Sequence, residues 1–251
     1  MIRQHLFDRR APADPMFRWR GGEVSRIEGL TDAVFAFALT LIVVSLSVPT
    51  GYEDLVDVMK SFPIFAICFA MIIMVWYYHY IFFRRFGLED FKTVVLNTML
   101  LFVVLFYVYP LKFVFTFLLA GFLGLESGGV RINVPQAKQL MMFYSLGVIL
   151  IFGLFALMNG RAYRLREELE LDELEVYLTK SEIGSHLISA GIGCLSVALV
   201  YATGEAGPFF AGVVYFLMGP TQGLWGWRRG KRAKEMHAAL LASEDSSGGG
   251  A

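Results

Sequence analysis

Charge is scarce in this chain. Asp, Glu, Lys and Arg make up 18% of its 251 residues, below the roughly 25% usual for soluble domains. The AVILMFWYC set reaches 56%, with 23 Phe. Folded in water, such a chain would expose far more apolar surface than a soluble monomer does, and it holds too much apolar material for intrinsic disorder. An excess of either sign is also lacking. With 22 basic against 22 acidic residues, there is no basic field to attract nucleic acid. Cysteine is nearly absent: Cys68 and Cys194 each lie inside an apolar run, which excludes a disulfide scaffold and makes both thiols packing residues. The cysteines and the 4 histidines are widely separated, so no metal-ligand spacing exists. No paired carboxylates, nucleophile triad or Gly-rich phosphate loop occurs either. Neither an enzyme nor a bound cofactor is expected. The stretch up to Glu28 contains no apolar core of the length a cleaved signal peptide needs.

What the chain does have is long uncharged runs. Ala33–Tyr52, Ser61–Phe83, Thr93–Leu111, Gln139–Gly160, Ile183–Gly204 and Ala206–Trp227 contain no Asp, Glu, Lys or Arg. The third continues apolar to Leu125 past the single Lys112. About 20 helical residues cross the hydrocarbon of a bilayer, and backbone amides in lipid must be bonded within their own segment. The expectation is an all-α integral membrane protein of six transmembrane helices. Of the 22 Lys and Arg, only Lys60, Lys112, Arg131 and Lys138 fall on one side of that topology. The others flank the opposite helix ends, which places both termini in the cytoplasm. The division is then a basic N-terminal segment over 1–25, a transmembrane domain over 26–230 and a flexible, Ser/Gly-rich tail over 231–251. The charged segment Arg161–Glu182 reads as a solvated helical extension of the fourth and fifth helices. No internal repeat is evident.

Polar residues inside apolar helices are costly and need a reason. Asp32 opens the first helix, where it either anchors the interface or faces protein or water. Further along, Ala33, Phe37, Thr40, Val44 and Ser47 recur at three- and four-residue steps and form one stripe. Its hydroxyls suit a narrow axial path, or else they bond back to their own helix carbonyls. The second helix ends in Trp76-Tyr77-Tyr78-His79-Tyr80, an aromatic belt with one imidazole at membrane depth. Asn97 opens the third helix. Asp32, His79 and Asn97 therefore sit at similar depth, and a buried hydrogen-bond cluster joining three helices is expected. His186 reads as an interfacial residue, and the glycines of the last two runs as close-packing positions.

Arg26-xxx-Leu30-Thr31-Asp32, followed by Ala-Val-Phe-Ala, resembles the RxxxFSD signature of the transmembrane protein 175 family of potassium channels. Members occur in prokaryotes and, in doubled form, in lysosomes. Trp76, His79, Asn97 and Leu111 after Pro110 reinforce the resemblance, which spans roughly Arg26 to Trp227. It implies homotetramers of six-helix subunits with the first helix lining the pore and no TVGYG filter loop. It also implies a constriction at the position occupied here by Phe37, where the family usually has Ile or Leu, and a selectivity-linked Thr at Thr40. Leu30 and Thr31 stand where the signature has Phe and Ser. Arg26, Thr31, Asp32, His79 and Asn97 would hold the pore helix in place.

Two functions compete. The first is a tetrameric K⁺-permeable channel of a prokaryotic cell membrane, with monovalent cations and membrane lipid as its partners. The second is a secondary transporter using Asp32 and His79 as a proton relay, although such proteins usually carry internal repeats.

Overall fold

A capping box starts the first membrane helix. Ser25 accepts from the Glu28 backbone N–H, and the Glu28 carboxylate accepts from the Ser25 N–H, each at 3.2 Å. Two donors that a helix start would otherwise leave open are filled. In this computed structural model, which describes residues 16–45, 48–123 and 132–248, that helix is α1, Arg26–Val44. It is followed by a short α2, Tyr52–Lys60, and by α3, Phe62–Phe86. Next come α4, Phe91–Leu123, and α5, Val134–Arg164. α6, Glu173–Ala202, α7, Gly207–Val213, and α8, Met218–Gly248, complete the order. All elements among the described residues are helical, as the composition requires.

Five of these helices, α1, α3, α4, α5 and α6, are long and apolar enough to cross a membrane, so the chain is a multi-pass membrane protein. The sixth uncharged run does not form one unbroken helix. α7 gives way to a 3₁₀ turn over Val214–Leu217 before α8 begins. Pro220 accounts for the break: it has no N–H for the carbonyl four residues earlier, and its ring crowds that carbonyl. A second departure lies at Arg161–Glu182, expected as continuous helix. α5 stops at Arg164, Glu170 takes a positive φ of 49°, and Asp172 restarts the chain with a capping box of its own, accepting from Glu175 N–H at 2.8 Å. The side chains of Asp172 and Glu175 fix a new helix start, so α5 and α6 fold into a hairpin. The third departure is the segment from 231, expected as a flexible tail, which is helical through Gly248.

α5 lies deepest: 56% of its apolar window is buried, against 28% for α1. Gly147 allows its close approach to α4, because a Cβ there would overlap the Tyr107 ring. Small hydroxyls tie the neighbouring helices together. Tyr215 donates to Ser145 and Ser145 to Ser196, both at 2.8 Å, while Ser196 donates to the Ala211 carbonyl at 2.9 Å.

At the opposite end of the bundle, ion pairs replace apolar packing. Arg85 of α3 and Arg229 of α8 converge on Glu182 of α6, at 3.2 and 2.6 Å. Asp90, just before α4, accepts from the Thr93 hydroxyl and from Arg161. Partial burial pushes its carboxyl up, but these donors outweigh that and hold it below the usual carboxylate value. The segment ahead of α1 is clamped here as well. Phe17 is buried between Phe86 and the Arg85 guanidinium. Arg20 donates to the Arg18, Leu169 and Glu170 carbonyls and to both oxygens of Glu175.

Candidate pore face and its supporting network

α1 packs with one face only. Its buried residues are Glu28, Thr31, Phe35, Ala38 and Ile42, at the three- and four-residue steps of a helical stripe. Ala33, Phe37, Thr40 and Val44 lie on the opposite side and are all exposed, Phe37 at 56% and Val44 at 71%. The stripe read from periodicity therefore lies on the side of α1 that the chain leaves uncovered, which also carries Asp32, Ala36 and Val43. Ser47 falls outside the described residues. The Thr40 hydroxyl donates to the Ala36 carbonyl at 2.9 Å, the back-bonding alternative. A hydroxyl whose proton is held by its own helix still presents its lone pairs outward, so back-bonding and a role toward cations are compatible.

Behind this face sits a polar chain, and it corrects the expected cluster. His79 Nε2 donates to Asn97 Oδ1 at 3.0 Å, Asn97 Nδ2 donates to Thr31 Oγ1 at 3.0 Å, and Thr31 donates to the Ile27 carbonyl at 2.8 Å. All three side chains are buried, and Phe35 and Phe83 lie against the imidazole. Asp32 is not a member. One helical step, about 100°, turns it away from Thr31. Its carboxylate instead accepts from Trp76 Nε1 at 2.8 Å in an exposed contact. Arg26 is exposed and makes no ion pair among the described residues. The signature positions thus divide: Thr31, His79 and Asn97 form the interior chain, Asp32 and Trp76 a pair at the rim, and Leu30 and Arg26 face outward.

This division makes a prediction. Asn97→Ala leaves the buried His79 Nε2–H without its acceptor, at about 1–3 kcal/mol, and also removes the bond donated to Thr31, whose hydroxyl keeps the Ile27 carbonyl. Asp32→Ala frees a single exposed indole N–H and should cost about 1 kcal/mol. Melting temperatures of the two variants should therefore rank Asn97→Ala well below Asp32→Ala, and the opposite order would return Asp32 to the centre of the network.

Sequence reasoning missed a second fixing point. Lys112 Nζ donates to the Ser45 carbonyl at 2.6 Å and to its hydroxyl at 2.7 Å, placing a cation at the negative C-terminal end of α1. The signal was available, since Lys112 is the lone charge in an otherwise apolar run. Thr31 and Ser45 reach α4 at sequence separations of 66 and 67, so α1 and α4 run parallel. His186, expected at an interface, is instead buried against Tyr78 and Phe155. Among the described residues no group of His, Cys, Asp and Glu gathers as it would around a metal ion.

Residues 26–107 match the family model described as endosomal/lysosomal potassium channel TMEM175. A protein of Marivirga tractuosa named as a potassium channel is 39% identical over 246 residues, covering 92% of this chain and 98% of the relative. The chain belongs to the TMEM175 family of potassium channels. Its structure resembles a crystal structure of a variant of the potassium channel MtTMEM175 bound to a nanobody–MBP fusion. That match has a TM-score of 0.77 at 39% identity and covers 87% of this chain and 98% of the other. A lysosomal potassium-selective TMEM175 homolog from Chamaesiphon minutus shares the fold, with a TM-score of 0.54 at 21% identity over 81% of this chain and 96% of the other. The TMEM175 match covers α1 to the middle of α4, the part that holds the exposed stripe and the polar chain.

Proposed function

We propose that four copies of this chain enclose a pore lined by α1 and conduct K⁺ passively down its gradient, with six spans per subunit and both termini in the cytoplasm of a prokaryote. One observation carries this reading: α1 leaves Ala33, Phe37, Thr40 and Val44 uncovered in a chain 39% identical to a protein named as a potassium channel. A single helix cannot surround an ion, so a pore along that face needs further copies. In such a ring Phe37 supplies the apolar constriction and Thr40 the oxygen just beyond it. Selection there rests on dehydration and hydroxyl oxygens rather than on a cage of backbone carbonyls. The sixth crossing comprises α7, the 3₁₀ turn and the start of α8.

The transporter reading is not favoured. Its relay needs Asp32 and His79 in one hydrogen-bonded path, whereas Asp32 bonds Trp76 and His79 bonds Asn97.

Purified protein in K⁺-loaded liposomes tests the function. The expected result is K⁺ efflux that follows the gradient and needs no co-ion, whereas saturating flux that requires a proton gradient would sink the channel reading. Assembly has its own test: mass measurement in detergent should give a four-chain particle, and monomer alone at micromolar concentration would count against the pore.

A further inference from the structure

α8 carries a surface that the conduction reading does not use. Its inward side is fully engaged. Gln222 donates to the Ser185 carbonyl and the Ser189 hydroxyl, each at 2.8 Å, Trp225 Nε1 to the Ser181 carbonyl at 3.0 Å, and Arg229 to Glu182. Ala233 is buried on the same side. Helical geometry turns Leu224, Trp227, Arg228, Lys231 and Lys234 to the outward side, and all are exposed, Leu224 at 50% and Trp227 at 66%. Arg232 flanks them and is exposed too.

The order along this face is that of a bilayer boundary. An aliphatic residue is followed by an indole of the kind that sits at headgroup level, and then by four cations within seven residues. From Trp227 to Lys234 the helix rises about 10 Å, so the cations stand within about one Debye length of the indole. The acid on this side is Glu235, beyond the last of them. Because Arg229 is committed to Glu182 and α8 is packed down to Ala233, the patch is a fixed array rather than a loose basic tail.

We propose that this face binds the phosphate headgroup of an anionic phospholipid, with Trp227 setting the depth and Arg228, Lys231, Arg232 and Lys234 supplying the charge. The inference rests on the spanning reading of the run that ends at Trp227. It does not depend on conduction, since each test below reads lipid contact and not flux.

The full chain is reconstituted in phosphatidylcholine vesicles containing either brominated phosphatidylglycerol or brominated phosphatidylcholine, and quenching of tryptophan fluorescence is measured. The Trp227→Phe variant assigns the Trp227 signal. Trp227 should be quenched more by the anionic lipid. Each basic charge near an anionic surface is worth about fivefold in partition. The variant Arg228→Gln/Lys231→Gln/Arg232→Gln/Lys234→Gln should therefore lose at least that much preference, while Lys92→Gln retains it. Equal preference in the fourfold variant, or none in the wild type, overturns the proposal. Should the fourfold variant fail to fold, the wild type still decides: its preference must fall as salt rises from about 50 mM to about 500 mM, and a salt-independent preference also overturns it.

Discussion

Replacing Phe37 with alanine is expected to raise K⁺ flux by at least about tenfold, equivalent to about 1.4 kcal/mol off the barrier, and to weaken discrimination against Na⁺. The reason is size and polarity. In a symmetric ring the clear radius is set by how far each side chain reaches toward the axis. A phenyl reaches further than alanine, and its apolar atoms return almost none of the energy a cation loses on shedding water. Readmitting water lowers the barrier for both ions, so the gain in Na⁺ flux should exceed the gain in K⁺ flux. Thr40→Ala should behave differently, changing the K⁺/Na⁺ ratio with little change in total flux, because it removes an oxygen and not a plug. Paired flux measurements in liposomes decide between them. Unchanged K⁺ and Na⁺ flux in Phe37→Ala would move the constriction to Val44.

The largest loss of stability is expected from Glu175→Ala. The carboxylate of Glu175 accepts from the Arg18 and Asp172 backbone N–H groups at 2.7 and 3.2 Å and from two nitrogens of Arg20. Arg20 and Glu175 are almost fully buried, with side-chain exposures of 11% and 2%. Removing the acid leaves a guanidinium without its counter-charge, which typically costs about 3–5 kcal/mol, and the melting temperature should fall by on the order of 10 °C. The double variant Arg20→Met/Glu175→Ala should recover part of that loss, since no buried charge is then stranded. A double variant as unstable as the sum of the two single variants would mean that the cost arises from packing and not from the ion pair.

Sequence periodicity identified the fold wherever one physical cause dominated. Uncharged length alone places α1, α3, α4, α5 and α6, because lipid imposes helix on any such run. It failed where two causes compete. Pro220 interrupts the last run despite its hydropathy, and Asp172 stops the charged segment from continuing α5. The stripe on α1 was legible because a face left uncovered keeps the same three- and four-residue steps as the face that packs. The polar chain was legible only in part. His79 and Asn97 stood out as costly in lipid, but Asp32 drew attention by its charge, while the member that joins them is the less conspicuous Thr31. Nothing in the sequence marks which of two adjacent residues points inward until the packed stripe is known. The Arg20–Glu175 contact joins residues 155 apart and left no local trace at all.

The two attachments of α1 to α4 have a mechanical consequence. Thr31 and Ser45 are spaced as their partners Asn97 and Lys112 are, and at 1.5 Å per residue each pair of sites lies a little over 20 Å apart. A rod bolted at two points along one side to a parallel rod cannot spin about its own axis without shearing both bolts. Between them Phe35, Ala38 and Ile42 hold the same side in the core. Phe37 and Thr40 lie in that span, so the direction in which they point is fixed from both ends of α1.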